Sequence, residues 1–350
     1  MNLPPFSLHA GGGSTVVPVD NIFTASRMSG FFRCAKKHRY GHIMGFRPVS
    51  SAGALHFGSL VHTGLEHWWQ SKGNLDKALA EVEAKMRSAE EYDPWLAIKL
   101  STVLYGYNAR WNPTFIKYEV LGVESEFYSD LLDLDGKKVE GVRIGGKIDG
   151  IVLDLDTGKK WVVEHKTSSE DLTAGSNYWA KLRMDSQVSI YIDGAATLGH
   201  QVEGVLYDVL KKSKLKPHLA TPMDKRKFKK DGALYANQRA NDETLEEFSD
   251  RVAAEITENV DSWYARTEVV RTEQEIRDAR ADLYYATMAM IEDEKRPDSP
   301  RNTSACFQFG ACPFLGVCDR SVDLFTSGKF TNEGGFHPEL SVNINPEEGE

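Results

Sequence analysis

Apolar positions recur at helical spacing early in the chain, contract to strand spacing in the middle, and return to helical spacing near the end. From Thr24 to about Ile43 a helix carries Met28, Phe31 and Phe32, with Thr24 or Ser26 as N-cap. A second helix, from about Ala54 to Gln70, carries Leu55, Val61, Leu65 and Trp68. Residues 75–90 and 95–111 form two further amphipathic helices. Strands follow at about 119–128, 141–155 and 160–167. A helix over 177–198 leads to a strand over Val202–Leu210, and two late helices cover about 243–265 and 273–293. This order predicts an α/β fold: a mixed central sheet flanked by helices, with helical insertions on both sides. Residues 1–20 lack periodicity and are expected to be a poorly ordered arm.

The two middle strands carry the candidate chemistry. The first runs Arg-Ile-Gly-Gly-Lys-Ile-Asp-Gly-Ile-Val-Leu-Asp-Leu (143–155) and the second Lys-Trp-Val-Val-Glu-His-Lys-Thr (160–167). Asp156-Thr157-Gly158-Lys159 between them is a turn signal, so the pair is expected to be a β-hairpin. Side chains alternate across a strand. Val162, Glu164 and Lys166 therefore share one face, while Trp161, Val163 and His165 share the other. Two carboxylates (Asp149 and Glu164) and one ammonium (Lys166) can then converge at the ends of paired strands. Hard oxygen ligands of this kind suit Mg²⁺ or Mn²⁺, and the adjacent amine suits a phosphoryl transition state. An exposed cross-strand ion pair is the plain alternative for the same residues.

Bulk properties narrow the class. Charged residues make up 27% of the 350 and hydrophobic ones 41%, the balance of a soluble globular protein. No run of 18 apolar residues exists, and Met-Asn-Leu-Pro-Pro-Phe-Ser is no secretory leader, so a cytoplasmic location and no membrane partner are expected. The net charge of −9 excludes a uniformly basic coat. Charge is nevertheless concentrated locally: Lys211 to Lys230 holds nine Lys or Arg against the single acid Asp224. That run is either a solvated loop or a surface that tracks phosphates. No G-x-x-x-x-G-K-[ST] motif is present, so the chain carries no P-loop motor, which leaves room for a separate helicase or recombinase partner.

Four cysteines complete the inventory. Cys306, Cys312 and Cys318 form a C-x5-C-x5-C run, and Cys34 lies more than 270 residues upstream of its centre. In a cytosolic chain, clustered cysteines favour metal over disulfide. The spacing has none of the short C-x2–4-C pairs usual for zinc, and four thiolates match the ligand count of a [4Fe–4S] cluster. Iron–sulfur, zinc and unligated core cysteines all remain open at this point. Either metal would join the N- and C-terminal segments.

Taken in order, these pieces resemble the RecB-like branch of the PD-(D/E)XK nuclease superfamily, in particular iron–sulfur exonucleases akin to the CRISPR-associated single-stranded DNA nucleases. The resemblance rests on Ser-Arg-Met-Ser-Gly-Phe-Phe-Arg-Cys (26–34), Phe-Gly-Ser-Leu-Val-His (57–62), Gly-Lys-Ile-Asp-Gly-Ile (146–151), Val-Val-Glu-His-Lys-Thr (162–167), Gln187-Val-Ser-Ile-Tyr191 and the three closing cysteines. The tail from Arg301 to Cys318 looks like stand-alone bacteriophage members. Several relatives have C-x2-C-x5-C where this chain has x5 twice.

The resemblance implies a metal-dependent DNA exonuclease of recombination, repair or phage DNA metabolism, working on single-stranded or frayed ends, in the host cytoplasm if phage-encoded. It implies that His62, Asp149, Glu164 and the carbonyl of His165 bind Mg²⁺ or Mn²⁺, the imidazole favouring Mn²⁺. Lys166 would orient or deprotonate the attacking water. Cys34, Cys306, Cys312 and Cys318 would hold the [4Fe–4S] cluster, and Gln187 and Tyr191, one helical turn apart, would position DNA. Glu66, one turn beyond His62, and Arg27 and Arg33, near the first cysteine, are further candidates. The expected layout is an arm over 1–20, one nuclease domain over 21–325, and a flexible tail over 326–350. Within the domain a helical region spans about 54–115, the core about 118–212, and the last helices with the cysteines 243–318. The competing functions are a catalytically idle DNA-end-binding recombination accessory protein and a restriction-type endonuclease on the same core.

Overall fold

The structure, a computed structural model, describes residues 21–49, 53–88, 92–308, 310–333 and 340. The expected arm over 1–20 and most of the expected tail lie outside these residues. The chain forms two compact units. One is made of the segments before Ser50 and after Ala286, the other of Ser50–Ala286.

The first unit opens with β1 (Ile22–Phe23), α1 (Ala25–Arg33), α2 (Ala35–His38) and β2 (Phe46–Pro48). The second continues with α3 (Gly53–Gln70), α4 (Leu75–Arg87), α5 (Pro94–Phe115), β3 (Tyr118–Leu132), β4 (Lys138–Asp154) and β5 (Lys160–Ser168). Then come α6 (Asn177–Arg183), α7 (Ser186–Thr197), β6 (Gly204–Lys211), α8 (Leu245–Glu258), α9 (Val260–Trp263) and β7 (Tyr264–Val270). The chain returns through α10 (Glu273–Glu294) to α11 (Leu315–Cys318) and β8 (Phe330–Asn332). None of the described helices is long and apolar enough to cross a membrane.

In the second unit the strands lie in the order β3-β4-β5-β6-β7. Pairing is antiparallel except between β5 and β6, which run parallel, so the expected mixed sheet flanked by helices is present. Leu60, Val61, Leu65, Trp68 and Trp69 of α3 form the main core with α4, α5, α8 and the sheet residues Val152, Trp161, Val163, Leu206 and Leu210. This is the odd-numbered face of β5, opposite Glu164 and Lys166. Crossing from β5 to its parallel neighbour requires a long connection, which α6 and α7 supply. Packing of α7 depends on Gly194, where a Cβ would stand 2.6 Å from the Phe127 ring.

Several boundaries differ from expectation for local reasons. The first helix stops at Cys34, whose backbone is extended at φ −164°, before a new turn starts at Ala35. The helix expected over 177–198 is two helices, because the Asp185 carboxylate caps a fresh start by accepting from Gln187 N at 2.9 Å. The helix expected to reach 265 ends at Glu258. Tyr264–Val270 instead adds a sheet strand, in register from Gly204↔Val270 to Leu210↔Tyr264. Within the expected tail, Phe330–Asn332 pairs antiparallel with Phe46–Pro48.

The first unit has its own small core of Tyr40, Phe46, Phe314 and Leu324, with Cys312 and Cys318 packed against it. Arg27 is buried here and engaged by Glu294 at 2.6 Å and the Ile22 carbonyl at 2.6 Å. Its guanidinium is thus engaged within the first unit.

Candidate active site

Pairing between β4 and β5 runs from Leu153↔Lys160 to Gly150↔Val163 and ends there. One residue further along each strand stand Asp149 and Glu164, at the fork where the strands part. The His165 N–H donates to Asp149 Oδ2 at 2.8 Å, so a side chain takes the place of the missing ladder partner. Strand period and turn position together thus bring both carboxylates to one place, as their spacing predicted.

Lys166 completes the group. Its Nζ donates to Glu164 Oε1 at 2.6 Å and to Gln187 Oε1 at 2.6 Å. Gln187 Nε2 in turn donates to the Tyr191 hydroxyl at 2.8 Å, and the Tyr191 ring packs edge-on against Phe127 at 6.0 Å. Of the predicted pair on α7, Gln187 therefore contacts Lys166 directly and Tyr191 supports Gln187. His62 approaches from α3, its Nδ1 3.7 Å from Asp149 Oδ2.

Electrostatics differ sharply between the two carboxylates. Burial pushes Glu164 up to about 7, the neighbouring Asp149 adds to the rise, and Lys166 only partly offsets it. Burial would also raise Asp149, but the hydrogen bond and charge of His62 and the His165 N–H bring it down to about 2. For Lys166 the attraction of Glu164 outweighs burial and raises its pKa, so it stands as an ammonium. His62 is likewise raised, Asp149 outweighing burial.

Glu164 Oε2 is buried with no hydrogen-bond partner. A buried carboxylate oxygen left unpartnered costs about 1–3 kcal/mol or more, and a cation at this position would relieve it. The donor set fits a hard divalent ion through Asp149 and Glu164, with His62 adjacent. Among the described residues no three His, Cys, Asp or Glu side chains form a closed metal-holding group.

Two features beside the site were not foreseen. Glu124 on β3 faces Asp149 by register, between Val123↔Gly150 and Ser125↔Ile148. It adopts φ +49° and is ion-paired with Lys147, and burial raises its pKa. Glu66 lies within electrostatic reach of both and forms no ion pair among the described residues. The second feature lies beneath His165. Its Nδ1 is 3.3 Å from Asp208 Oδ2, on the fully buried Asp208 of β6. Asp208 is also bound by Arg266 (3.0 Å) and by the Tyr107 hydroxyl. Only the strand register, unknown from sequence, aligns Asp208 with His165 and Arg266.

The four cysteines lie in the first unit and line one cavity of about 200 Å³ together with Lys37, Arg301 and Phe314. None is in a disulfide. Burial raises the Cys318 thiol, and Cys312 and Cys34 raise it further, the sign of sulfurs close enough to repel as thiolates. Asn302 N donates to Cys34 Sγ at 3.5 Å. The cavity lining thus holds four soft donors, although among the described residues no three of them close into a metal-holding group. The basic run from Lys211 does not behave as one unit: Lys211 lies over the Trp263 ring at 5.9 Å and Lys212 is half-buried, whereas Lys214 and Lys216 are exposed.

Comparison with known proteins follows from this geometry. No curated protein matches the chain. A solved structure described as "Crystal structure of SSO0001" is similar at 16% identity over 75% of this chain and 85% of that one, with a TM-score of 0.22. The family model described as the PD-(D/E)XK nuclease superfamily matches residues 22–319, a span that holds Asp149, Glu164, Lys166 and all four cysteines. The chain belongs to the PD-(D/E)XK nuclease superfamily.

Proposed function

We propose that this metal-dependent nuclease is an exonuclease of the RecB-like iron–sulfur branch, removing nucleotides from single-stranded or frayed DNA ends in recombination, repair or phage DNA metabolism. The observation that carries hydrolysis is the unpartnered Glu164 Oε2 beside Asp149 and the Lys166 ammonium. The exonuclease branch is supported by the motif order and by the four cysteines around one cavity.

Asp149 and Glu164 would hold Mg²⁺ or Mn²⁺, with His62 and the carbonyl of His165 completing the protein's share. The bound ion supplies Lewis-acid polarisation of the phosphate and lowers the pKa of a coordinated water. Glu164 must shed its proton to take this role, and the adjacent ammonium favours the carboxylate. Lys166 spends two of its three N–H donors on Glu164 and Gln187, leaving the third for the attacking water or a phosphate oxygen. As an ammonium it orients and neutralises rather than accepts a proton. Gln187 fixes the lysine, and Tyr191 fixes Gln187.

Cys34, Cys306, Cys312 and Cys318 would hold a [4Fe–4S] cluster with a structural role. Anaerobically purified protein should then be brown. Colourless protein with stoichiometric zinc and full activity would overturn the cluster assignment. For the reaction, the test is Mn²⁺ with end-labelled linear and covalently closed circular DNA. Progressive loss of label from linear DNA with sparing of the circle is the expected result. Cutting of the closed circle at one fixed sequence would instead identify an endonuclease.

A further inference from the structure

Between β6 and α8 the chain runs for more than thirty residues without a sheet strand or α-helix, yet it is bonded into a defined shape. Residues 221–239 fold back on themselves as an arm. Thr221 N donates to the Arg239 carbonyl at 2.9 Å, Lys227 N to Gln238 Oε1 at 2.7 Å, and Lys229 N to the Ala233 carbonyl at 2.8 Å. Phe228 bridges antiparallel to Leu234, and the tip turns at Gly232 with φ +82°. The base is anchored as well: Lys212 N donates to the Ser168 carbonyl at 2.7 Å and Lys99 Nζ to the Leu215 carbonyl at 2.7 Å. Because β5 and β6 are parallel, with Lys166↔Val209 and Ser168↔Lys211, the segment leaves the sheet at the end that bears Lys166.

Charge in the arm is sorted by residue type. Its arginines are used internally: Arg226 by the Thr221 and Ala240 carbonyls, and Arg239 by Glu247 at 2.8 Å. The lysines are not. Lys225, Lys227, Lys229 and Lys230 are all exposed, and none has a carboxylate within ion-pair distance among the described residues. In a chain of net charge −9, residues 221–239 hold six Lys or Arg against two Asp. Two aromatic side chains stand out in water beside them, Phe228 (59% exposed) and Tyr235 (49%). The Phe228–Leu234 pairing puts those two on one face of the ribbon, and alternation puts Tyr235 with Lys227 and Lys229 on the other. An exposed aromatic ring flanked by unpaired ammonium groups suits a polyanion that carries flat apolar bases.

We propose that the 221–239 arm is a single-strand-binding element of the nuclease, in which Tyr235 stacks on an unpaired base while Lys227 and Lys229 contact the neighbouring phosphates. Phe228 on the other face provides a second stacking surface. The inference rests on the nuclease reading only in the identity of the strand, since binding can be measured without cleavage.

The test uses the full-length protein in EDTA, with fluorescence anisotropy of a labelled oligothymidylate and of an abasic oligonucleotide of equal length. Tyr235→Ala should weaken oligothymidylate binding about ten-fold or more, Tyr235→Phe should restore it, and neither should alter abasic binding. Lys227→Gln with Lys229→Gln should weaken both ligands and flatten the single-strand salt slope by about 1.4. Wild-type affinity for oligothymidylate in both variants would overturn the proposal, as would binding of polyglutamate in preference to it, which would make the arm a docking site for acidic protein. If these variants lose binding but the wild type cuts no DNA with Mn²⁺, the nuclease reading fails and the arm assignment stands. If the wild type cuts and the variants bind as it does, only the arm assignment fails.

Discussion

The carboxylate site and the cysteine cavity are assembled by opposite routes. Asp149, Glu164 and Lys166 lie within 18 positions of one another, and a turn plus two-residue periodicity suffices to bring them together. The cysteine cavity joins Cys34 to a loop more than 270 residues away, and the apolar cluster beside it has four buried side chains among the described residues. The first site is a local consequence of a sheet with a large core on its other face. The second depends on long-range closure, whose chain-entropy cost a small core offsets poorly. Ligands should therefore matter differently: for turnover in the first region and for folding in the second.

The largest expected effect tests that division. Glu164→Ala should lower nuclease turnover by about 1,000-fold and Lys166→Ala by about 100-fold or more. Thermal unfolding of metal-free Glu164→Ala should stay near wild type, because removing a buried carboxylate with an unpartnered oxygen offsets leaving the Lys166 ammonium without that partner. Parallel circular-dichroism melts and cleavage rates provide the check, and full activity in Glu164→Ala would end the assignment. Cys34→Ser reverses the pattern. Its visible absorbance should bleach as completely as that of Cys312→Ser, and the melting transition should drop or split, with both losses read on anaerobic samples. Retention of colour and a single wild-type melt would show that closure needs no metal.

The third effect lies under the carboxylates. Asp208→Ala leaves the Arg266 guanidinium buried without its partner, and removing one member of such a pair costs about 3–5 kcal/mol. Urea denaturation should register that loss, and Tyr107→Phe should cost less because the charge pair survives.

The smallest effect is the most specific. Folded Glu164 titrates near 7 against an ordinary value of 4.5, so the metal-free folded state holds an extra proton between those limits. Stability from this group is complete below about 4.5 and is lost as pH rises through 7. Asp149 acts oppositely, adding stability above 3.8 that disappears as pH falls through about 2, outside the working range. Melting temperatures in EDTA should therefore decline between pH 5 and pH 8, and Glu164→Gln should flatten that decline. Saturating Mn²⁺ should reverse its sign, since the ion selects the carboxylate.

Sequence reading recovered what depends on short periods. The shared face of Glu164 and Lys166 follows from alternation, and the Gln187–Tyr191 contact from one helical turn. It missed what depends on partners distant in the chain. Asp208 looks like any polar residue in an apolar strand until β5 and β7 bracket it. Glu124 gains its position only from the β3–β4 register, and β7 falls mostly in the gap between the two expected late helices because its alternation is short. The break at Asp185 was legible in principle, since an Asp two residues before Gln187 is a cap signal, but the continuous apolar pattern masked it. For the cysteines, composition singled out four soft donors, and the structure gathers them around one cavity; the division into two units, each with its own core, had no signal in the pattern of single elements.

The parallel pairing of β5 with β6 bears on how this enzyme can change. Two parallel neighbours need a crossover, and that crossover lays α7 over the face that holds Glu164 and Lys166. The element over the carboxylate pair is thus a connecting segment, while the carboxylates themselves stand on sheet. Connections accept insertions and substitutions that central strands do not. Recutting the stretch from Asn177 to Arg183, which keeps Gln187, Tyr191 and Gly194 in place, can alter what approaches the site and leave the carboxylate pair and Lys166 untouched. Substrate choice and bond cleavage are therefore open to separate adjustment in this fold, the one through the crossover and the other through the strand fork.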